Sequence, residues 1–210
     1  MDVGEWIVIG LSVVMAVWFG IGSFYNRRRG IRTYRWIQAG LSQLGKIGEA
    51  AWIGSAASGA RLVVPQAQTP FRRVETVFLL ESREILPLWL FNRLRNKQDE
   101  MILKAALRSV PPVELEAAPK SDRQTKALLS AERRPYEQVE APDGFLIARR
   151  GASEVDLERI NAFLREYRES IIRLSLQRQV PHLILRVRLP QLEQGPPEAF
   201  FEAVSQVVQR

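Results

Sequence analysis

The chain of 210 residues carries a formal charge of +7, and its 46% hydrophobic and 25% charged residues are the balance of a folded globular chain rather than a disordered tail. It contains no cysteine, which excludes disulfides, thiolate zinc sites, iron–sulfur clusters and cysteine nucleophiles together. The charge is unevenly placed: residues 1–25 sum to −2, 26–60 to +5 and 61–108 to +4, while 109–210 balance at zero.

The first element is the run Trp6–Tyr25, which holds no charged residue and is long enough, as a helix, to cross a hydrocarbon core of about 30 Å. A cleaved secretory signal starts basic and ends in a small-x-small site, whereas this run follows Asp2 and Glu5 and ends in Phe24-Tyr25-Asn26-Arg27. A buried core helix is the other alternative, but soluble cores rarely offer so long an uncharged stretch with Trp6 and Tyr25 at its two ends. Residues 1–26 therefore read as a permanent single-pass anchor in the cell membrane. Arg27, Arg28, Arg29, Arg32 and Arg35 follow at once, and this positive-inside bias places the N-terminus outside and the C-terminal bulk in the cytoplasm. Within the span, Ser12, Ala16 and Gly20 recur every four residues, stacking small side chains where a second copy of the chain or another membrane protein could approach closely. Small residues are common in such helices, so chance produces the same stripe often.

Residues 27–53 read as a basic amphipathic juxtamembrane helix reaching about Trp52. Ile31, Tyr34, Ile37, Leu41, Leu44, Gly48 and Ala51 fall on one side of it and Arg32, Arg35, Ser42, Lys46 and Glu49 on the other. The five arginines suit anionic lipid headgroups, each basic residue near such a surface contributing about 1 kcal/mol. The stretch Gly40–Ile47 has the spacing of a phosphate-binding loop. It has Ile47 where a magnesium-holding Ser or Thr belongs and no buried strand ahead of it, so nucleotide binding is set aside.

Residues 54–117 take on a strand texture after the connector Gly54–Gly59. Arg61–Val64 is short and β-branched, and Phe71–Leu80 is apolar on both faces, as a strand in the middle of a sheet would be. Met101, Leu103, Ala105 and Leu107 alternate with Ile102, Lys104 and Arg108 in a strand with one wet face, and Val113 and Leu115 do so with Glu114 and Glu116. Those glutamates read as a solvated strand face rather than a metal or acid–base pair. Between these strands a helix begins at Pro87. Trp89, Leu90, Phe91 and Leu94 beside Arg93, Arg95 and Lys97 suit a helix in the headgroup layer, with Trp89, Arg93 and Arg95 touching the membrane surface. The same residues suit an ordinary helix packed on the sheet, which is preferred slightly.

Residues 118–143 are polar, proline-bearing and without periodicity, as a loop or linker is. In residues 144–210, Phe145–Arg149 reads as a strand and Ser153–Asp156 has capping-box spacing. Leu157, Ile160, Leu164, Tyr167, Ile171 and Leu174 then continue one helix. Leu183, Leu185, Val187 and Leu189 mark a half-buried strand, and a last helix from Pro196-Pro197 carries Phe200, Phe201, Val204 and Val208. His182, the one histidine, lies at a strand start without a partner and reads as a surface or capping residue.

The expected architecture is α+β: a transmembrane helix, an amphipathic juxtamembrane helix, and a cytoplasmic domain with a mainly antiparallel sheet. No catalytic residue, metal ligand or cofactor site stands out. The expected function is a non-catalytic, membrane-anchored binding or assembly subunit. The alternative is a membrane-surface enzyme acting on a lipid or phosphorylated substrate, its phosphate held by Arg61, Arg72 and Arg73. Nucleic-acid binding comes third, because the basic excess lies beside the anchor rather than on a remote face. A non-catalytic domain should also lack a cleft where several titratable groups converge.

Overall fold

A computed structural model of the chain describes residues 2–130, 136–151 and 157–209. Its first element, α1 (Val3–Leu44), is one unbroken helix of 42 residues, about 63 Å long at 1.5 Å per residue. Asp2 caps it, accepting the Val3 N–H at 2.7 Å, and Glu5 returns a bond to the Asp2 N–H. It is the one described helix long and apolar enough to cross a membrane. The expected anchor and juxtamembrane helix are thus two halves of a single rod. The second half stops sooner than its periodicity suggested, because the chain turns at Gly45 and Glu49–Trp52 is a strand, β1. Gly48 and Ala51 consequently lie off the helix.

Eight further strands follow: β2 (Gly59–Val64), β3 (Phe71–Leu79), β4 (Glu100–Leu107), β5 (Glu114–Pro119), β6 (Glu137–Val139), β7 (Phe145–Arg150), β8 (Ile171–Leu176) and β9 (Leu183–Arg188). They form one antiparallel sheet in the order β1-β2-β3-β4-β9-β8-β5-β7-β6, with β4–β9 pairing joining the two halves of the sequence. Between them lie α2 (Leu86–Leu94), α3 (Arg123–Leu129) and α4 (Leu157–Glu166), and α5 (Leu189–Leu192) and α6 (Pro197–Val208) end the chain.

One face of the sheet carries the core. Leu62, Phe78, Leu103, Leu185 and Ile147 meet Ile37 and Leu41 of α1, Ile160 and Leu164 of α4, and Phe200 and Phe201 of α6. The apolar patterns of β4, β9 and α6 read from the sequence are the ones observed, except that Leu189 opens α5 instead of extending β9. β3 is internal but has one wet face: Phe71, Val74 and Phe78 are buried while Arg73 and Leu79 are exposed.

Two segments depart from expectation. The helix entered at Leu157 stops at Glu166, and Ile171 and Leu174 belong to β8, where Ile171 pairs with β9 and Leu174 with both β5 and β9. Steps of three and four happen to continue through both elements, so the period alone could not separate them. The capping box Ser153–Asp156 lies outside the described residues. The stretch expected to be a linker holds the end of β5, all of α3 and β6.

The second half of α1 lies alongside β2 and β3. At its far end the Leu44 carbonyl accepts the Gln68 N–H at 2.7 Å, just beyond β2, and at its near end Asn26 reaches the Glu81 carbonyl, just beyond β3. The approach is closest at Gly30, where a Cβ would stand 1.8 Å from the Ala56 carbonyl oxygen, so only glycine admits the connector there. Through the strand register, the end of the sheet nearest residues 22–30 also contains Leu79, Glu100, Arg188, Ile171 and Pro119.

Candidate membrane-facing site

Along α1 the domain-facing residues are Gly22, Asn26, Gly30, Thr33, Ile37, Gly40, Leu41 and Leu44, which fall on one stripe of the helix. Its far part is apolar and its near part is polar. Asn26 donates through Nδ2 to the Glu81 carbonyl at 2.8 Å and to Glu84 Oε2 at 3.1 Å, and its Oδ1 accepts from Arg83 Nη1 at 3.0 Å. Asp99, fully buried, accepts from both Arg83 Nη atoms at 3.0 Å, from Arg29 Nε at 3.0 Å and from the Glu81 N–H at 2.8 Å. Arg29 Nη2 also pairs with Glu193 at 2.8 Å, and the Thr33 hydroxyl donates to the same carboxylate. Burial by itself would raise the Asp99 pKa, but the bonds from Arg83, the Glu81 backbone and Arg29 outweigh it and hold the carboxyl below its ordinary value. Asp99, Glu193, Arg29 and Arg83 are each met by an opposite charge, so the seam is suited to fixing α1 in place rather than to receiving a ligand.

Arg29, expected at the membrane surface, is therefore turned into this seam. Its neighbours Arg27, Arg28, Arg32 and Arg35 are exposed, with Arg28 lying over the Phe24 ring. Ser12, Ala16 and Gly20 are exposed as well, and a Cβ at Gly20 would meet nothing within 4 Å.

Beside the apolar half of α1 lies α2, held by the Trp18 and Trp89 rings with centroids 5.2 Å apart and by the Trp18 indole N–H on the Arg83 carbonyl at 2.8 Å. The preferred expectation that this helix packs on the sheet is corrected: Leu90 is 53% exposed and Leu94 77%, and Ile85, Leu88 and Phe91 are exposed too. Only Asn92 of α2 is buried. The reason is position, since α2 extends from the near end of the sheet along α1 rather than over the strands. Arg93 and Arg95 are exposed, the latter 4.1 Å above the Phe91 ring.

On the sheet face opposite the core, Glu116 is not the wet residue its alternation implied. It is buried, accepts from the Ser175 hydroxyl and lies 3.1 Å from Arg173 Nε; Asp122 and Thr125 complete the group around Arg173. Burial pushes its pKa up against the opposing pull of Ser175 and Arg173. Glu114 pairs with Arg150 and accepts from the Tyr136 hydroxyl. An open depression of about 510 Å³ adjoins this group at the near end, lined by Ser121, Asp122, Arg123, Arg186 and Arg188. So titratable groups do converge here, around Arg173 rather than Arg72 or Arg73.

Of the arginines expected to hold phosphate, Arg61 is occupied by Glu75 at 2.9 Å and Glu49 at 2.7 Å, Arg73 lies 3.9 Å from the same Glu75, and Arg72 stands exposed at the far end of β3, so a carboxylate rather than an open anion site lies between them. His182 is buried rather than at the surface, and its Nδ1 accepts the Leu107 N–H at 2.9 Å. Among the described residues no three His, Asp or Glu side chains are placed to hold a metal ion. Sequence reasoning missed Arg83, Asp99 and Glu193 altogether. The available signal was Asn26 and Thr33, polar residues seven apart on a stripe that is otherwise apolar or glycine. No protein-family model matches the chain, and no curated protein does.

Proposed function

We propose that the chain is a single-pass membrane protein whose C-terminal region, in the cytoplasm, is a non-catalytic binding or assembly subunit. The observation that carries this reading is the continuity of α1. Its first half is apolar and exposed except on the side where Trp18 and Gly22 meet α2 and the segment before it, and its second half is built into the core and pinned by the Asn26–Arg29–Thr33 seam. A catalytic domain working on a diffusing substrate gains nothing from a rigid joint to its anchor. A scaffold that must present a surface at a set height and angle above a bilayer does. The open Ser12–Ala16–Gly20 stripe offers such a subunit a helix–helix contact, with itself or with another membrane protein. Arg27, Arg28, Arg32 and Arg35 face the anionic headgroups where α1 leaves the membrane.

A membrane-surface enzyme is the second reading, supported by Glu116, Ser175, Arg173 and Asp122 beside the arginine-lined depression. Two experiments separate the possibilities. Because the chain lacks cysteine, Asp2→Cys and Gln194→Cys each give a single label site. A membrane-impermeant maleimide should reach the first in intact cells and the second only after permeabilisation, and the reverse pattern would refute the orientation. Cross-linking in native membranes should then trap α1 in a complex of defined mass, whereas a chain that stays monomeric speaks against assembly.

A further inference from the structure

We infer that α2 is itself inserted in the cytoplasmic leaflet, so that the protein grips the membrane with two packed elements rather than one; this rests on reading α1 as the span. A helix on the surface of a soluble domain keeps one stripe buried and shows water a polar face. Here Ile85, Leu88, Leu90, Phe91 and Leu94 are all exposed, Trp89 is half-buried against α1, and Asn92 is the residue turned inward. The apolar surface is thus inverted relative to a helix that packs on its own sheet.

Position fixes the solvent. Trp89 packs against Trp18 with the rings tilted at 46°, and Trp18 lies seven residues, or about 10 Å along the axis, on the membrane side of Tyr25. With Trp6–Tyr25 in hydrocarbon, a helix packed at Trp18 shares that layer. Its ends suit the location. Pro87 in the first turn has no N–H to leave unsatisfied. At the other end the Phe91, Asn92 and Arg93 carbonyls accept the N–H groups of Arg95, Asn96 and Lys97, with Asn96 in the left-handed region at φ 52°. The C-terminal turn thus leaves few carbonyls for lipid to solvate. Arg93, Arg95 and Lys97 cluster at that end, and their long stems let the charges reach headgroup phosphates while Phe91 and Leu94 stay below them.

Two grips constrain what one cannot. A lone span allows the domain to turn about the helix axis, whereas α1 and α2 together fix its azimuth and direct the near end of the sheet, with Arg123 and Arg188, at the leaflet.

The test uses the full chain in nanodiscs of phosphatidylcholine and phosphatidylserine, with a nitroxide at one introduced cysteine: Leu90→Cys or, should that variant fold poorly, Leu94→Cys. Val13→Cys reports the span and Arg73→Cys the aqueous far end. Collision with oxygen relative to a water-soluble nickel chelate should be several-fold higher at position 90 than at 73, approaching the value at 13. A ratio at 90 equal to that at 73, with 13 in the bilayer, overturns the insertion of α2 and leaves the anchor standing. A label at 90 shielded from both reagents overturns it in favour of a covering protein. Nickel access at 13 removes the anchor and the inference together.

Discussion

Removing the Asp99 carboxylate tests whether the polar seam holds α1 to the domain. Asp99→Ala leaves Arg83 and Arg29 with no carboxylate at the centre of the seam, and stripping one partner from a buried ion pair costs about 3–5 kcal/mol. Asp99 is completely buried, but the Arg29 and Arg83 side chains are 15% and 19% exposed, so water partly rehydrates them and the lower figure, about 3 kcal/mol, is expected. With a urea dependence of about 2 kcal/mol per molar, the unfolding midpoint should fall by about 1.5 M. The assay is tryptophan fluorescence of the detergent-purified chain in urea. Glu137→Ala is the internal comparison: that glutamate is 75% exposed in its pair with Arg149 and should cost under about 1 kcal/mol. Equal small losses in the two variants would refute the argument, because the seam would then be no more than a surface pair.

Gly30→Ala sets a methyl 1.8 Å from the Ala56 carbonyl oxygen and should destabilise by about 1–3 kcal/mol, while Gly20→Ala, with nothing within 4 Å, should leave the same urea midpoint unchanged or higher. Replacing Ala16 and Gly20 by Leu should preserve insertion but weaken association in a transmembrane reporter assay, and unchanged association removes the small-residue stripe from the account. The Glu116 pKa is raised above its ordinary 4.5, so its carboxyl binds a proton more tightly in the fold than unfolded; that contribution is complete below 4.5 and lost as the pH climbs through the raised value. Glu116→Gln, fixed in the neutral form, should therefore gain stability relative to the native chain as pH rises through that window, and a flat or falling difference in melting temperature would contradict the assignment. Asp99 acts in the opposite sense: its stabilisation is present above 3.8 and lost as the pH falls through its lowered value.

The elements legible in the sequence were those whose pattern depends only on near neighbours. Met101, Leu103 and Ala105 alternate because β4 has one core face, and Phe200, Phe201 and Val204 recur because α6 lies on that core. The seam was illegible because it is assembled from afar, Asp99 being 70 residues from Arg29 and Glu193 160 from Thr33. Glu116 obeyed the alternation of a wet strand, yet Ser175 and Arg173 of the neighbouring β8 close over it, which depends on strand order. For α2 the ambiguity was chemical, since lipid and protein core select the same Trp, Leu and Phe. The polar composition of residues 118–143 concealed α3 because a helix of seven residues holds too few apolar positions to show a period.

The seam also bears on why α1 meets its domain through charges at all. Buried ion pairs seldom add net stability over well-packed apolar residues, so stability does not account for Arg29, Arg83, Asp99 and Glu193. Register does. An apolar helix against an apolar sheet can be displaced by one turn, about 5.4 Å, at the cost of imperfect packing. Displacing α1 by that step would carry Asn26 away from the Glu81 carbonyl and Arg29 away from Asp99, leaving several buried charges unpaired. The height of the sheet above Tyr25 is thereby set by hydrogen-bond geometry rather than by fit alone. The same residues are too polar to be drawn into hydrocarbon, so with α1 as the proposed span one short stretch of it sets both where the helix leaves the lipid and where the domain begins.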